Sequence, residues 1–460
     1  MTDTILRTIF PLIKIKVLRK VKLTIAVKYI ISIFIAVFPA VIVSAQEEIG
    51  PIMWNPFVNN GSDLLTTPRK ASKKTTISLP LPFFEDFTGN SPVPDSAKWV
   101  DFMVYINNTM AVSPISRGVA TFDDLDYRGL PYDSFSNSVV KYADSLTSMP
   151  INLSADSVGD SVYLSFFYQP QGNGFYPTVG DSLMLFFKNK FGDFIKVWSV
   201  QGSALTPFQQ VMIPLTDSLD FHEGFQFRFI NIASLAWADA VWNLDYIKLD
   251  RNRTMADTVI ADIAFTSDPP FLLNDYTSMP YSQFKVNPTA EIVTMLTDSI
   301  RNDSSAGHNV NYNYRINDGG FTLGGSAGFN TTFLAGHQTA EVTEPLIVFG
   351  YPNHPANTPV IYEARYYLQN SAFTGPTEND TVVRKQVFDN YLAYDDGTAE
   401  KSYYLHLATS APGKIAIEYH LNKPDTIRGM SIYFGRQVPF ANRKPFIINL
   451  DVLLLVPIPA

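Results

Sequence analysis

The chain has 460 residues, of which 46% are hydrophobic, and its formal net charge is −8 at pH 7. At about 100–200 residues per domain, this length predicts two to four domains. The absence of cysteine excludes disulfides, thiolate nucleophiles and cysteine-ligated metal centres, and the acidic balance disfavours nucleic acids and anionic membranes as partners.

Residues 1–45 have the pattern of a secretory signal peptide. Seven basic residues precede an apolar run from Tyr29 to Val43, and Val43-Ser44-Ala45 places small residues where a signal peptidase would cut. The run is shorter than the ~20 residues of a typical membrane-spanning helix. We expect cleavage before Gln46, with an uncleaved membrane anchor as the alternative. The pattern therefore predicts a secreted or outer-surface protein that uses an export machinery.

Residues 46–78 predict a linker, because Pro, Asn, Ser and Thr outnumber large apolar residues there. From residue 79 to 253 the dominant pattern has period two, and "GFQFRFINI" places Phe225, Phe227 and Phe229 on one face of a strand. Turn signals such as "QGNG" and "VGDS" recur at the short spacing of a β-sandwich. Region 79–253 is therefore predicted to be an antiparallel, jelly-roll-like sandwich.

Residues 254–390 predict a second, smaller sandwich of the immunoglobulin or fibronectin type. In "NVNYNYRINDGGFTL", Tyr312, Tyr314 and Ile316 alternate with polar residues before Asp318-Gly319, a strong hairpin signal. We interpret the glycine-rich stretch "GGFTLGGSAGF", which overlaps the end of this pattern, as a flexible loop.

Residues 391–460 contain three strand-like runs, in "YLAYDDGTAEKSYYL", "GKIAIEYHLN" and "IRGMSIYFG", and end in an apolar tail. About 70 residues supply only part of a jelly-roll core, so we expect a partial third sandwich with an exposed apolar edge. The chain as a whole is predicted to be all-β, with tandem antiparallel β-sandwiches.

Several of these stretches carry a family resemblance. "FFEDFTG", "GVATFDDLDYRGLPYD", "SVYLSFFYQPQG" and "VWNLDYIKL" resemble the first β-sandwich of large secreted surface proteins of Bacteroidota, many of which leave the cell through the type IX secretion system, and "YDDGTAE" resembles the start of a later sandwich. The first sandwich is also similar to MAM-type jelly rolls. Such proteins usually end in a sorting domain, which nothing after Arg436 resembles, so we expect a truncated or frameshifted sequence.

The stretch "GVATFDDLDYRGLPYDS", residues 118–134, holds four aspartates and two glycines. It does not fit an EF-hand loop, because Arg128 stands where an oxygen ligand is needed and Phe135 replaces the terminal Glu. One interpretation is that its aspartates cap turns and bond the local backbone.

The alternative is a calcium site of a different design. Sandwiches of the MAM type often hold one ion between the first and last strands, so the resemblance implies that Glu85 or Asp86 supplies oxygen ligands together with Asp245. The aspartates of the acidic stretch would lie nearby, namely Asp123, Asp124 or Asp126.

Aromatic residues in loops suggest a binding surface. Phe175 and Tyr176 stand beside "QGNG", and Trp237 lies in the loop-like "SLAWADA". They are candidates for a platform on which a sugar or a partner protein stacks. The alternative is that they fill sandwich cores, as most of the 34 Phe, 23 Tyr and 5 Trp would.

No stretch has the motif of a zinc hydrolase, a serine hydrolase, a phosphate-binding loop or a dinucleotide site. The E-x-D-x-x-E spacing of glycosidase jelly rolls is also absent. We therefore predict an exported, non-catalytic protein for adhesion or for recognition of glycans or proteins. The alternatives are an accessory region of a secreted hydrolase whose catalytic domain is missing, and a structural component of the secretion or gliding apparatus.

Overall fold

The computed structural model describes residues 47–55, 78–89, 91–136, 138–328, 330–355, 358–369, 379–405, 415–435 and 447–449. The predicted signal peptide and most of the predicted linker lie outside them. The chain divides into two compact units, Met1–Glu48 with Leu405–Gly413, and Ile49–Tyr404 with Lys414–Ala460. Both sandwiches belong to the second unit. Within the described ranges, no helix has the length and apolar character needed to cross a membrane.

Strands form almost all of the regular structure, which confirms the all-β prediction. After the short strand β1 (Glu47–Gly50), the strands of the first sandwich are β2 (Phe83–Glu85), β3 (Tyr105–Asn107), β4 (Val119–Phe122), β5 (Val140–Thr147), β6 (Tyr163–Pro170), β7 (Ser182–Lys188), β8 (Phe194–Gln201), β9 (Gln209–Pro214), β10 (Gln226–Ser234) and β11 (Trp242–Asp250). Short 3₁₀ turns at Val158–Asp160 and Ser218–Asp220 precede β6 and β10.

Two antiparallel sheets form the first sandwich. One has the strand order β3-β4-β11-β6-β9, with β2 also paired to β11, and the other has the order β5-β10-β7-β8. Apolar side chains from both sheets make one continuous core. Phe225, Phe227 and Phe229 are fully buried in it, as their alternation with polar residues predicts.

The second sandwich contains β12 (Ile263–Phe265), β13 (Met295–Asn302), β14 (His308–Asp318), β15 (Phe321–Gly325), β16 (Asn330–Leu334), β17 (Thr339–Pro345), β18 (Val360–Gln369) and β19 (Thr381–Phe388), with the one-turn helices α1 (Tyr281–Phe284) and α2 (Pro288–Glu291) before β13. Its sheets have the orders β12-β13-β17 and β15-β14-β18-β19, with β16 also paired to β14. A last short strand, β20, spans Ser402–Leu405.

The hairpin predicted at Asp318-Gly319 joins β14 to β15, and Gly319 takes the positive φ of 55° that such a turn needs. The interpretation of the following glycine-rich stretch as a loop is wrong, because Phe321–Gly325 is strand β15. Glycine lets this strand lie close to its neighbours: a Cβ added at Gly324 would stand 2.0 Å from the carbonyl oxygen of Ile347.

Residues 415–435 carry two of the strand-like runs predicted for the third sandwich, but they contain no paired strand. Ile415 and Ile417 are exposed. The backbone here is held by side chains of the second sandwich, since the Tyr276 hydroxyl accepts from the N–H of His420 at 2.7 Å and donates to its carbonyl at 3.2 Å. Alternation alone does not make a strand, because a strand also needs the hydrogen bonds of a paired neighbour.

The core packing gives a first test. Phe227 is fully buried between Phe83 and Trp99, with ring centroids 5.3 and 5.8 Å away. Phe227→Ala should lower the free energy of unfolding of the first sandwich by about 3–5 kcal/mol. The control Phe191→Ala removes a ring that is 71% exposed, and its effect should stay within about 0.5 kcal/mol.

Urea unfolding followed by tryptophan fluorescence reports on this sandwich, because no tryptophan follows Trp242 in the chain. Equal losses for the two variants would contradict the assigned core.

Candidate functional site

A β-bulge in β11 shapes the outer face of the six-stranded sheet. The pairing of β11 with β6 shifts register between Asp245 and Lys248, and Tyr246 takes a positive φ of 47°. Bulges of this kind redirect side chains at a sheet surface. The Tyr246 ring packs edge-on against Phe84 of β2, with centroids 5.4 Å apart.

These two rings and Phe167 of β6 line an open cleft of about 580 Å³, which we call the outer-sheet cleft. Phe84 and Phe167 remain partly exposed, whereas Tyr246 is almost fully buried. The polar residues around the rings come from the sheet and from the chain that leaves it. They are Ser165, Gln210, Lys248, Asp250, Arg253 and Asp257.

One wall of the cleft is the segment 251–261, which leads from the first sandwich to the second. Arg253 fastens this segment to the sheet, because its Nη1 donates to Ser165 Oγ at 2.9 Å and to the Lys248 carbonyl at 3.1 Å. Its Nε donates to Asp257 Oδ2 at 2.6 Å. Arg253 is 6% exposed, so this guanidinium positions the wall and is not free to bind a ligand.

The charges of the cleft are paired within the protein. Arg253 is bonded to Asp257, and Lys248 Nζ lies 3.8 Å from Asp250 Oδ2. Two cations therefore face two carboxylates, and the cleft carries no excess charge of either sign.

The Tyr246 hydroxyl is hydrogen-bonded within a buried polar cluster between the two sandwiches. Its hydroxyl donates to Asp262, and the side-chain amide of Asn379 donates to Asp262 Oδ2 at 2.7 Å and to Asp86 Oδ2 at 3.3 Å. Burial raises the pKa of Asp262 to about 6. The floor of the cleft thus depends on contacts with the second sandwich.

The structure separates Glu85 from the other two predicted calcium ligands. Glu85 faces the core, where its Oε2 accepts from Trp99 Nε1 at 3.1 Å and lies 3.4 Å from Lys98 Nζ. Asp86 follows the end of β2, and its charge contributes to the raised pKa of Asp245.

Ser116 joins Asp86 and Asp245. Its hydroxyl lies 3.1 Å from the Asp86 carbonyl and 3.2 Å from Asp245 Oδ1, and its N–H donates to Asp245 Oδ2 at 2.9 Å. Burial raises the pKa of Asp245 well above its usual value, against the lowering effect of that backbone hydrogen bond. In the part of the chain that the structure describes, no group of three or more His, Asp or Glu side chains is arranged to hold a metal ion. Calcium binding stays a prediction.

The acidic stretch 118–134 forms a hydrogen-bonded network with β5 and β10. The backbone N–H of Asp124 donates to Asp144 Oδ2 at 2.7 Å, and the Tyr132 hydroxyl donates to Asp144 Oδ1 at 2.8 Å. Asn231 donates to Asp124 Oδ1 and accepts from the N–H of Asp144, both at 2.7 Å. Asp124 therefore bonds groups that are distant in the sequence. Local turn capping is made instead by Asp123 and Asp126, which accept from the N–H groups of Leu125 and Arg128 at 3.3 and 2.8 Å.

This network is acidic and buried. Burial, followed by the charge of Asp144, raises the pKa of Asp124 well above its usual value, and burial raises the pKa of Asp123 to about 7. Asp126 differs, because its carboxylate accepts from the guanidinium of Arg128 at 2.6 and 3.0 Å.

The residues of the predicted aromatic platform, Phe175, Tyr176 and Trp237, lie in two loops, and their role as a stacking surface stays a prediction. The loops that carry Phe175 and Trp237 are adjacent, since the N–H of Val241 donates to the Phe175 carbonyl at 3.1 Å. Tyr176 is exposed, whereas Trp237 is partly buried, and its Nε1 donates to Asp239. Among the described residues, no ring contact joins Trp237 to the other two.

The rings that do share a cleft, Phe84, Phe167 and Tyr246, were not among the predicted site residues. The sequence carries a signal for two of them, because "FFE" and "SFFYQP" place aromatic residues on both faces of their strands. The bulge that brings Tyr246 to this face cannot be predicted from the alternation of apolar and polar residues in the sequence.

Taken together, the fold and cleft define an all-β, two-sandwich protein with an aromatic cleft on one sheet. No family model and no curated protein matches the sequence. Among solved structures, a β-glucuronidase from Bacteroides uniformis is similar at 11% identity and a TM-score of 0.25, over 56% of this chain and 27% of that one.

Two further solved structures are similar at the same level. A GH2 β-galacturonidase from Eisenbergiella tayi has 12% identity and a TM-score of 0.25, over 66% of this chain and 42% of that one. The Endo-D glycoside hydrolase domain from Streptococcus pneumoniae R6 has 10% identity and a TM-score of 0.25, over 69% and 45%. The chain spans less than half of each of these proteins, and the comparisons assign it no activity.

The buried aspartates predict a pH dependence. A folded-state pKa of about 7 for Asp123 lies above the ordinary value, so the folded protein holds a proton that the unfolded chain releases. The contribution of this proton to the free energy of unfolding is fully present below about pH 4. It is lost as the pH rises through 7, at up to about 1.4 kcal/mol per pH unit for one proton.

Asp123→Asn should therefore flatten the fall in stability of the first sandwich between pH 5 and pH 8, measured by tryptophan-detected urea unfolding. Asp193→Asn, in an exposed turn, is the control and should leave the slope unchanged. A wild-type stability that rises across this range would contradict the assigned ionisation.

Proposed function

We propose that this chain is an exported, non-catalytic recognition protein whose first sandwich binds a glycan in the outer-sheet cleft. The observation that carries the proposal is the combination of three aromatic rings with hydrogen-bonding side chains in one open cleft of about 580 Å³. Binding sites for small ligands combine apolar walls with a few placed polar groups in this way.

The chemistry of the cleft suits a sugar. A pyranose ring has an apolar face of C–H groups and an edge of hydroxyls, so it requires a flat apolar surface bordered by donors and acceptors. Phe84 and Phe167 present partly exposed rings, and aromatic rings contribute large contact area at low entropic cost. Gln210 lies beside them, is partly exposed and offers a neutral amide donor and acceptor.

The paired charges support a neutral glycan as the ligand. A uronic acid or a sulfated sugar would need a cation that is free to meet it, and both cations of the cleft already have carboxylate partners. Placing an extra anion beside Asp250 and Asp257 would cost electrostatic energy. We therefore propose neutral hexose oligosaccharides as the ligand class.

An export route is part of the same proposal, since free glycans and glycan-coated surfaces are met outside the cell. It is supported by the basic segment, the apolar run and the small residues before Gln46. A recognition role in adhesion would follow if the glycan belongs to a surface.

Glycan binding can be tested by calorimetry with a panel of neutral and uronic-acid oligosaccharides. We expect a neutral member to bind, and we expect Phe84→Ala and Phe167→Ala each to weaken it by about tenfold or more, equivalent to about 1.4 kcal/mol. Phe191→Ala is the control, because it removes an equally large ring that is 71% exposed and outside the cleft.

Unfolding midpoints of the variants separate loss of binding from loss of fold. Binding of no panel member would refute the proposal, as would binding that both cleft variants leave unchanged. Preference for a uronic acid would refute the neutral ligand class.

The export proposal has its own test. Full-length protein produced in a bacterium with a general secretory pathway should reach the envelope or medium, and its intact mass should correspond to a chain beginning at Gln46. A product that keeps residues 1–45 and stays in the inner-membrane fraction would contradict cleavage.

A further inference from the structure

Between the sheets of the second sandwich lie four buried oxygen atoms that have no hydrogen-bond partner in the part of the chain that the structure describes. They are Asp298 Oδ2, Glu344 Oε1 and the hydroxyl oxygens of Tyr312 and Tyr366. The four residues are 3%, 2%, 1% and 0% exposed, respectively. We call the space that they border the polar chamber.

The four residues converge from both sheets. Asp298 on β13 and Glu344 on β17 are diagonal neighbours on the inner face of one sheet, because Asp298 pairs with Val342 and Glu344 with Leu296. Tyr312 on β14 and Tyr366 on β18 face them from the other sheet, with ring centroids 6.2 Å apart.

The Tyr312 hydroxyl lies within electrostatic range of both carboxylates, and the Tyr366 hydroxyl lies within range of Asp298. Burial raises the pKa of Tyr312, and the negative charges of Asp298 and Glu344 raise it further. Burial and the charge of Asp298 likewise raise the pKa of Tyr366.

The carboxylates are fixed in place by their other oxygens. Asp298 Oδ1 accepts from Ser267 Oγ at 2.9 Å and from the N–H of Ser299 at 2.8 Å, and Glu344 Oε2 accepts from Ser326 Oγ at 2.6 Å. Neither carboxylate can turn toward a hydroxyl without breaking these bonds. Neither hydroxyl is hydrogen-bonded to another of the four oxygens.

Four unpartnered oxygens in one place are more than a native core tolerates. Buried polar atoms are almost always hydrogen-bonded to protein or to ordered water, and leaving one unbonded carries the full cost of its desolvation. The hydroxyls donate and accept, and an ionised carboxylate oxygen only accepts. Burial raises the pKa of Asp298 to about 7, so its Oδ2 accepts when ionised and donates when protonated. Water, with two donors and two acceptors, complements this set and needs two to four polar partners.

We propose that the polar chamber binds a small cluster of ordered water molecules that bridges Asp298 and Glu344 to Tyr312 and Tyr366. The water bonds across gaps that the side chains cannot close, and it links the two sheets at a point where apolar packing is interrupted. The inference is independent of the proposed function of the first sandwich.

Tyrosine-to-phenylalanine variants test the water cluster by whether they lower or raise the melting temperature. If water bonds the hydroxyls, Tyr312→Phe and Tyr366→Phe each remove a bridge and should lower the melting temperature of the second sandwich by about 2–4 °C. If the hydroxyls are unpartnered, removing them should raise it instead.

Tyr362→Phe is the matched control. Tyr362 is also buried on β18, but its hydroxyl lies 2.7 Å from that of Tyr281. Removing the Tyr362 hydroxyl breaks a direct hydrogen bond and should therefore lower the melting temperature. Scanning calorimetry follows the unfolding of both sandwiches, and tryptophan fluorescence identifies the transition of the first one, because the second has no tryptophan.

A high-resolution crystal structure of the whole chain tests directly whether ordered water is bound in the polar chamber. The proposal requires ordered water within hydrogen-bonding distance of at least three of the four oxygens. A dry chamber would overturn it. A metal ion would overturn it as well, and would be recognised by anomalous scattering and by a melting temperature that falls on addition of a chelator.

Discussion

The bulge at Tyr246 is the constraint on which the arrangement of the molecule depends. Strand β11 is the centre of the six-stranded sheet, since it pairs with β2, β4 and β6. The extra residue turns the Tyr246 ring toward the outer face and sends its hydroxyl to Asp262, which lies on the path into the second sandwich. One local irregularity therefore supplies the floor of the cleft and a link between the sandwiches.

Buried carboxylates are the second recurring feature, and they are satisfied mostly by neutral donors. Asp124 and Asp144 use backbone N–H groups, an amide and a tyrosine hydroxyl, and Asp245 uses Ser116 in the same way. Such networks fix loops against strands, and burial without a full countercharge favours the protonated form of these carboxyl groups, which is why their pKa values are raised. The acidic stretch that stands out in the sequence is thus explained by architecture.

Much of the fold could be predicted from the sequence, because a strand buried on one face must alternate. Phe225, Phe227 and Phe229 show this directly, as does the hairpin at Gly319, which depends on local turn chemistry. Strand β15 was interpreted as a loop because glycine-rich sequence is typical of loops. In the structure, Gly324 is required because the strand packs closely against the backbone of Ile347. The cleft could not be predicted, since its residues are distant in sequence and meet only through register and the bulge.

The most direct test of this account is hydrogen–deuterium exchange of the full chain with and without a neutral oligosaccharide that it binds. The account predicts slower exchange on ligand addition in β6, in β11 and in segment 251–261, which form the floor and one wall of the cleft. Protection confined to the loops that carry Tyr176 and Trp237 would contradict it and would move the site to the end of the first sandwich.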